Sequence, residues 1–275
     1  ASDNKQMLWL QYQLIKKISK EDPRIDGSDL PPAIIHLKDT CGSFAFDYQS
    51  IYSPAGLNPD NTGVIGLDDF DSSWGIWGHN LRKVLGANTE KVYATINGKA
   101  NDSQLCFSSG EMFRLIESYI TDNFGEKGKF RFVIAPDDTP YACTCPSCTA
   151  IGNTEKNATP AVTELILRLS QRFPRHFFFT TSYLTTQQVT DKQLPPNAGV
   201  IVSAINFPLR RIDGKDAKEK AFAGQLEQWK NVTKNIYIWD YINNFDDYLT
   251  PMPILKIARQ RLQFFKQHGA SGIFF

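Results

Sequence analysis

KFRFVIAPDDTPYACTCPSC, residues 129–148, opens as a short apolar run and continues as an acidic, thiol-rich loop. The run at 130–135 is aromatic and β-branched and lies between Gly128 and Pro136, so it reads as a buried strand. Asp137 and Asp138 follow at once, then Cys143, Cys145 and Cys148. Carboxylates at the C-terminal end of a buried parallel strand stand where α/β barrels build their active sites.

On either side of this stretch, apolar runs alternate with helical patterns, the signature of a parallel α/β fold. Strands are expected at 43–48, 74–79, 104–108, 130–135, 176–183, 200–205, 236–241 and 272–275. Helices with apolar spacings of three and four are expected at 109–124, 160–173, 217–231 and 253–267. Eight strands with helices between the later ones predict a (β/α)8 TIM-type barrel over residues 41–275, with long loops as its first connections. A doubly wound sheet is the alternative. Residues 1–40 are set apart: an amphipathic helix at 7–20, a turn-rich link at 22–32 and a short strand at 33–37 read as the tail of an upstream α/β domain or as a collar. The last expected strand ends at the final residue, so flanking domains are expected in the full protein. The loop at 53–73, rich in Gly, Pro, Asn and Asp, reads either as a wall of the binding site or as a solvated cover over the barrel edge.

The 275 residues suffice for one barrel of about 250 residues. With 30 basic and 29 acidic residues the net charge is +1, which gives no electrostatic footprint for nucleic acid. No run of 18 apolar residues occurs, so no membrane span is expected, and no signal peptide is visible.

On the barrel reading the strand ends enumerate the pocket. Asp47 and Tyr48 end the first strand, His79 the second, Asp137 and Asp138 the fourth, Tyr183 the fifth and Asn206 the sixth; Trp239, Asp240 and Tyr241 end the seventh. Carboxylates, an imidazole, an amide and flat aromatics facing one crevice suit a sugar. Glycine-rich phosphate loops and a G-x-S-x-G elbow are absent from the sequence, so no nucleotide cofactor and no serine-hydrolase site is expected.

Glycoside hydrolysis needs a protonated acid at the leaving oxygen and a second group at the anomeric carbon. Adjacent carboxylates facing one pocket push one pKa up, so Asp138 is the expected acid, with Asp137 orienting a substrate amide or tuning its neighbour. Otherwise Asp137 caps the turn after the strand. Asp240 is a third candidate, on one condition. Strand side chains alternate, so if Trp239 and Tyr241 face the interior as a stacking wall, Asp240 packs outward. His79 either bonds a sugar hydroxyl or is a packed histidine beside Trp74 and Trp77.

Cys143, Cys145 and Cys148 offer three soft ligands on one turn, and Cys106 supplies a fourth; four thiolates make a closed structural zinc site. A disulfide and free thiols are the alternatives. Five cysteines leave at least one outside any disulfide within the chain.

Several motifs carry a family resemblance: WGIWGHNL at 74–81, INGK at 96–99, SQLCFSSGEMF at 103–113, PDD at 136–138 with CTCPSC at 143–148, IYIWDYINNFDDYLTPMP at 236–253 and QFFKQHGASGIFF at 263–275. In this order they resemble the domain of unknown function 4838 family, found largely in gut Bacteroidetes and including glycoside hydrolase family 163. The opening helix is similar to the end of that family's N-terminal α/β domain. The resemblance implies a hexosaminidase-type barrel and, for some members, endo-β-N-acetylglucosaminidase activity on complex N-glycans. It also implies that Asp137 and Asp138 occupy the place of the family 20 Asp-Glu pair, whose first residue holds the substrate's attacking N-acetyl group and whose second is the acid. Here the second residue is Asp, with a shorter arm.

The function expected is therefore that of a secreted, periplasmic or cell-surface glycoside hydrolase acting on N-acetylhexosamine-containing glycans, with no catalytic cofactor. The competing readings are a non-catalytic glycan-binding barrel and a scaffold domain. None of the expected strand ends carries a Glu, which an enzyme would favour.

Overall fold

The computed structural model describes residues 2–21, 43–54, 56–242, 247, 249 and 254–275. Along the chain run α1 (Ser2–Glu21), β1 (Tyr48–Ser50), α2 (Pro59–Thr62), α3 (Phe70–Ser73), β2 (Trp74–Ile76) and α4 (Leu81–Leu85). Then come β3 (Tyr93–Ile96), β4 (Lys99–Leu105), α5 (Gly110–Phe124), β5 (Arg131–Val133), α6 (Pro146–Ile151) and α7 (Thr159–Arg172). The chain continues with β6 (Phe177–Ser182), β7 (Ala198–Ser203), α8 (Ala217–Lys230), β8 (Asn235–Trp239), α9 (Leu255–Gln267) and β9 (Gly272–Phe274). The expected strand at 33–37 and residue Cys41 lie outside the described residues.

Seven strands form one parallel sheet in the order β1-β9-β8-β7-β6-β5-β2. Tyr48, Trp74, Val133, Phe179, Ile201 and Tyr237 gather on one face, so the sheet curls around them as a barrel-like α/β fold. The two edge strands approach through side chains: the Trp74 indole N–H donates to the Tyr48 hydroxyl at 2.8 Å. Tyr48 in turn stacks on Tyr237, with ring centroids 5.5 Å apart. Phe179 and Ile201 are fully buried there, each a gain of roughly 1.5–3 kcal/mol over exposure.

The outer face is covered by helices that the sequence starts and stops. Ser109 caps α5 by accepting from the Glu111 and Met112 amides, and Met112, Ile116 and Ile120 place one apolar stripe on the sheet. Asp216 caps α8 in the same way, and Phe222, Leu226 and Trp229 point inward. Helix α9 buries Arg261 and Phe265.

The strand expected at 104–108 does not join the sheet. Residues 99–105 instead form β4, which pairs antiparallel with β3. Asn97 and Gly98 both have positive φ, at 52° and 72°, as a two-residue hairpin turn requires. The hairpin sits outside the sheet, and β2 pairs directly with β5. The first strand also shifts. It runs Tyr48–Ser50 rather than 43–48, and Asp47 reaches β9 only through its amide, which donates to the Ser271 carbonyl.

The loop at 53–73 covers the free edge of β1. Asp68 gives its amide to the Gln49 carbonyl and accepts the Gln49 amide on its carboxylate at 2.8 Å. An edge that would otherwise template another strand is thereby closed. Lys5 of α1 locks the same carboxylate at 2.8 Å.

Candidate functional site

At the C-terminal ends of the strands a cavity of about 320 Å³ is walled by His79, Asp138, Thr181, Tyr183, Ser203, Trp239 and Tyr241, with Ile201 and Ile205. Strand alternation explains the wall. Phe179 and Ile201 fill the interior, so Thr181 on β6 with Tyr183 just beyond it, and Ser203 on β7 with Ile205 just beyond it, continue the same inward rows upward. Trp239 and Tyr241 do the same from β8, their rings nearly parallel at 11° and 6.3 Å apart.

Asp138 is exposed and opens onto the cavity. Two phenols converge on it. Burial first, then the charge of Asp138 and a hydrogen bond with it, hold the Tyr183 hydroxyl above its usual range. Tyr241 is raised mainly by burial, with Asp138 and Asp240 adding to the rise and a Ser203 hydrogen bond opposing it. Both phenols thus stay protonated and able to donate.

His79 leans on the loop behind. Its Nδ1 lies 2.5 Å from the Pro136 carbonyl, which only accepts, so Nδ1 carries the proton of that bond. Gly78, at φ +56°, makes the turn that brings His79 there, and a Cβ on it would come within 3.5 Å of the Trp239 ring.

Asp137 is turned elsewhere. Its Oδ2 accepts from Arg82 Nε at 2.7 Å, and it is not among the cavity's walls. Desolvation raises its carboxyl above the usual range, with Arg82 and His79 opposing. Gln104 clamps its backbone, accepting the Asp137 amide at 3.0 Å and donating to the carbonyls of Asp137 and Tyr141, both at 3.2 Å.

Asp240 is buried behind β8. Arg261 donates to it from Nε at 2.8 Å and from a second nitrogen, and both side chains are fully out of solvent. With Trp239 and Tyr241 facing the cavity, Asp240 takes the outward position that alternation assigns; it is not in this cavity's wall, it borders a neighbouring one, and its carboxylate is held by Arg261.

Asp47 and Tyr48 do not line the cavity. Tyr48 is level with Gly272, the first residue of β9, and is sealed inside the core, while Asp47 precedes the strand. The shift of the first strand moved both away from the cavity. Asn206 lines an adjoining cavity of about 610 Å³ that shares Tyr183, Ser203 and Ile205. On the other flank, Trp239 and Tyr241 are shared with a cavity of about 530 Å³ that reaches Tyr52 and Trp77. The three form one groove across the strand ends. A larger cavity, about 810 Å³, lies on the outer face between β1 and α9 and has no carboxylate or tyrosine in its wall.

Thr181 and Ser203 were missed by sequence reasoning. Their signal was present: each sits two residues beyond an inward apolar residue of its strand.

Cys106, Cys143, Cys145 and Cys148 come together beside this loop, all four sulfurs within 4.8 Å of one another, a cluster able to hold a metal ion.

The fold and site define a parallel, barrel-like α/β protein with a polar and aromatic groove at the C-terminal strand ends. The family model of the domain of unknown function DUF4838 matches residues 79–275, and the chain belongs to that family. No curated protein matches the sequence. No helix among the described residues is long and apolar enough to cross a membrane.

Proposed function

We propose that the chain is a glycoside hydrolase of the family 163 type, acting on N-acetylhexosamine-containing glycans in the manner of an endo-β-N-acetylglucosaminidase, on a (β/α)8-type barrel whose third unit is a hairpin. One observation carries this reading: Asp138 shares a cavity with two protonated phenols, an imidazole and the Trp239–Tyr241 wall. A sugar ring stacks on the aromatic wall, and its hydroxyls meet Tyr183, Ser203 and His79.

Asp138 donates a proton to the leaving glycosidic oxygen. As that C–O bond breaks, the carbonyl oxygen of the substrate's own N-acetyl group bonds to the anomeric carbon; water then displaces it, returning the proton to Asp138. Tyr183 or Tyr241 donates to the N-acetyl oxygen and positions it. Asp137 acts through the backbone: Arg82 and Gln104 hold it, and it holds Asp138 in place. Both steps run on side chains and substrate. Such glycans are met outside the cytoplasm, so the reading carries a secreted, periplasmic or cell-surface location and a source among the gut Bacteroidetes.

A second reading is a glycan-binding barrel without catalysis. It is favoured by one fact, that Asp138 is the single carboxylate in the wall of this cavity among the described residues. Mass spectrometry of products from a glycoprotein and oligosaccharide panel separates the two. Release of free glycan supports the hydrolase; saturable binding by calorimetry with no product supports the binding barrel, and neither one would sink both.

A further inference from the structure

We propose that Cys106, Cys143, Cys145 and Cys148 form a tetrahedral structural zinc site that ties the β3–β4 hairpin to the loop carrying Asp138. The inference stands apart from the glycosidase reading and holds whether or not that reading does.

Two of the six sulfur separations match a metal site, and all four sulfurs lie within 4.8 Å of one another. Zinc–thiolate bonds of about 2.3 Å directed to the corners of a tetrahedron separate the sulfurs by about 3.8 Å. Cys106 Sγ lies 3.7 Å from Cys145 Sγ and 3.8 Å from Cys148 Sγ. These separations are far longer than the roughly 2.05 Å of a disulfide.

The surroundings suit thiolates rather than thiols. The Thr95 amide donates to Cys143 Sγ at 3.2 Å, and the Cys148 amide points at Cys145 Sγ from 3.5 Å. Ser108 Oγ is 3.0 Å from Cys148 Sγ. Such contacts orient and neutralise ligand sulfurs. Three of the four residues are buried, and Cys145 is partly so. Four protein ligands leave no position for water, so the site is structural.

Its effect reaches the cavity by two short routes. Cys106 is two residues from Gln104, whose amide group clamps the backbone of Asp137 and Tyr141. Cys143 is five residues beyond Asp138, and between them Gln104 holds Thr139 and Tyr141, the Thr139 amide bonds the Asp137 carbonyl and the Ala142 amide bonds the Glu155 carbonyl. The metal thus fixes both ends of the segment that presents Asp138.

The test is elemental analysis by mass spectrometry of the whole chain purified under reducing conditions with zinc in the medium, followed by titration of thiols before and after denaturation. One zinc per chain, four thiols that react only after denaturation or chelation, and the intense visible absorption of tetrahedral cobalt–thiolate after cobalt exchange are expected. Cys145→Ser should lower the zinc content, and Cys41→Ser should leave it at one. Should Cys145→Ser fail to fold, the metal content and thiol count of the parent decide alone. Iron in place of zinc, four freely reactive thiols in metal-free folded protein, or a mass lowered by disulfide formation among these four would each overturn the assignment.

Discussion

Arg82 donates from Nε to Oδ2 of Asp137 at 2.7 Å, and through this bond two neighbouring carboxylates come to face different partners. Asp137 looks toward a guanidinium, whereas Asp138 looks into a cavity. Two acids adjacent in sequence need not share a proton when the fold separates them so.

The pair has a pH signature. Burial raises the Asp137 carboxyl above its ordinary value, against the pull of Arg82 and His79. A group raised on folding contributes stability that is full below its unfolded pKa and lost as pH rises through the folded one. Arg82→Ala removes an opposing influence and raises Asp137 further. Urea melts of parent and variant should therefore nearly coincide near pH 3 and diverge above the carboxylate range. At neutral pH the gap should be on the order of 1–2 kcal/mol, after discounting for the partial exposure of Arg82. A constant gap at every pH would contradict this role.

Asp240 and Arg261 make the opposite kind of pair, with both side chains at 0% exposure. Removing one partner strands a buried charge, so Arg261→Ala should cost about 3–5 kcal/mol in a denaturant melt. The double variant Asp240→Leu with Arg261→Met should be closer to the parent than either single change. If each single change cost under about 1 kcal/mol, Asp240 would be reachable by water and the case against it as a catalytic group would fail.

Trp239 stands at the junction of two of the three groove cavities. Trp239→Phe keeps a ring against Trp77 and Phe274 but shortens the wall. Glycan affinity by calorimetry should fall roughly tenfold, about 1.4 kcal/mol, with the melting temperature little changed. Unchanged affinity would move the sugar off this wall.

The fold was legible where a periodic signal was long. Strands β6, β7 and β8 and helices α5, α7 and α8 fall within two residues of their expected bounds, because their apolar rows are buried on both sides or on one stripe. The hairpin departs from the expectation: Asn97-Gly98 between two strand-like runs is the local sign of one, but the apolar end of β4 has the pattern of a barrel strand. The first strand slipped because Phe44, Phe46 and Tyr48 alternate as a strand should, while only the last of them pairs with β9. With that shift Tyr48 is sealed in the interior cluster and Asp47 precedes the strand, so neither lines the cavity.

Of the site, the residues that follow long strands were legible: Tyr183, Trp239 and Tyr241 need only strand alternation. Asp137 was not, because its direction is set by Arg82, 55 residues away in the chain. The thiol cluster was legible as a set, and the structure supplied the separations that favour a metal.

The proton donor is tested by the hydrolysis rates of Asp138→Asn against the parent, on a glycan that the parent cleaves. A loss of at least about a hundredfold in kcat/KM, the usual scale of a general acid, is expected, with glycan binding retained. A variant as active as the parent would contradict it and place the acid outside this cavity.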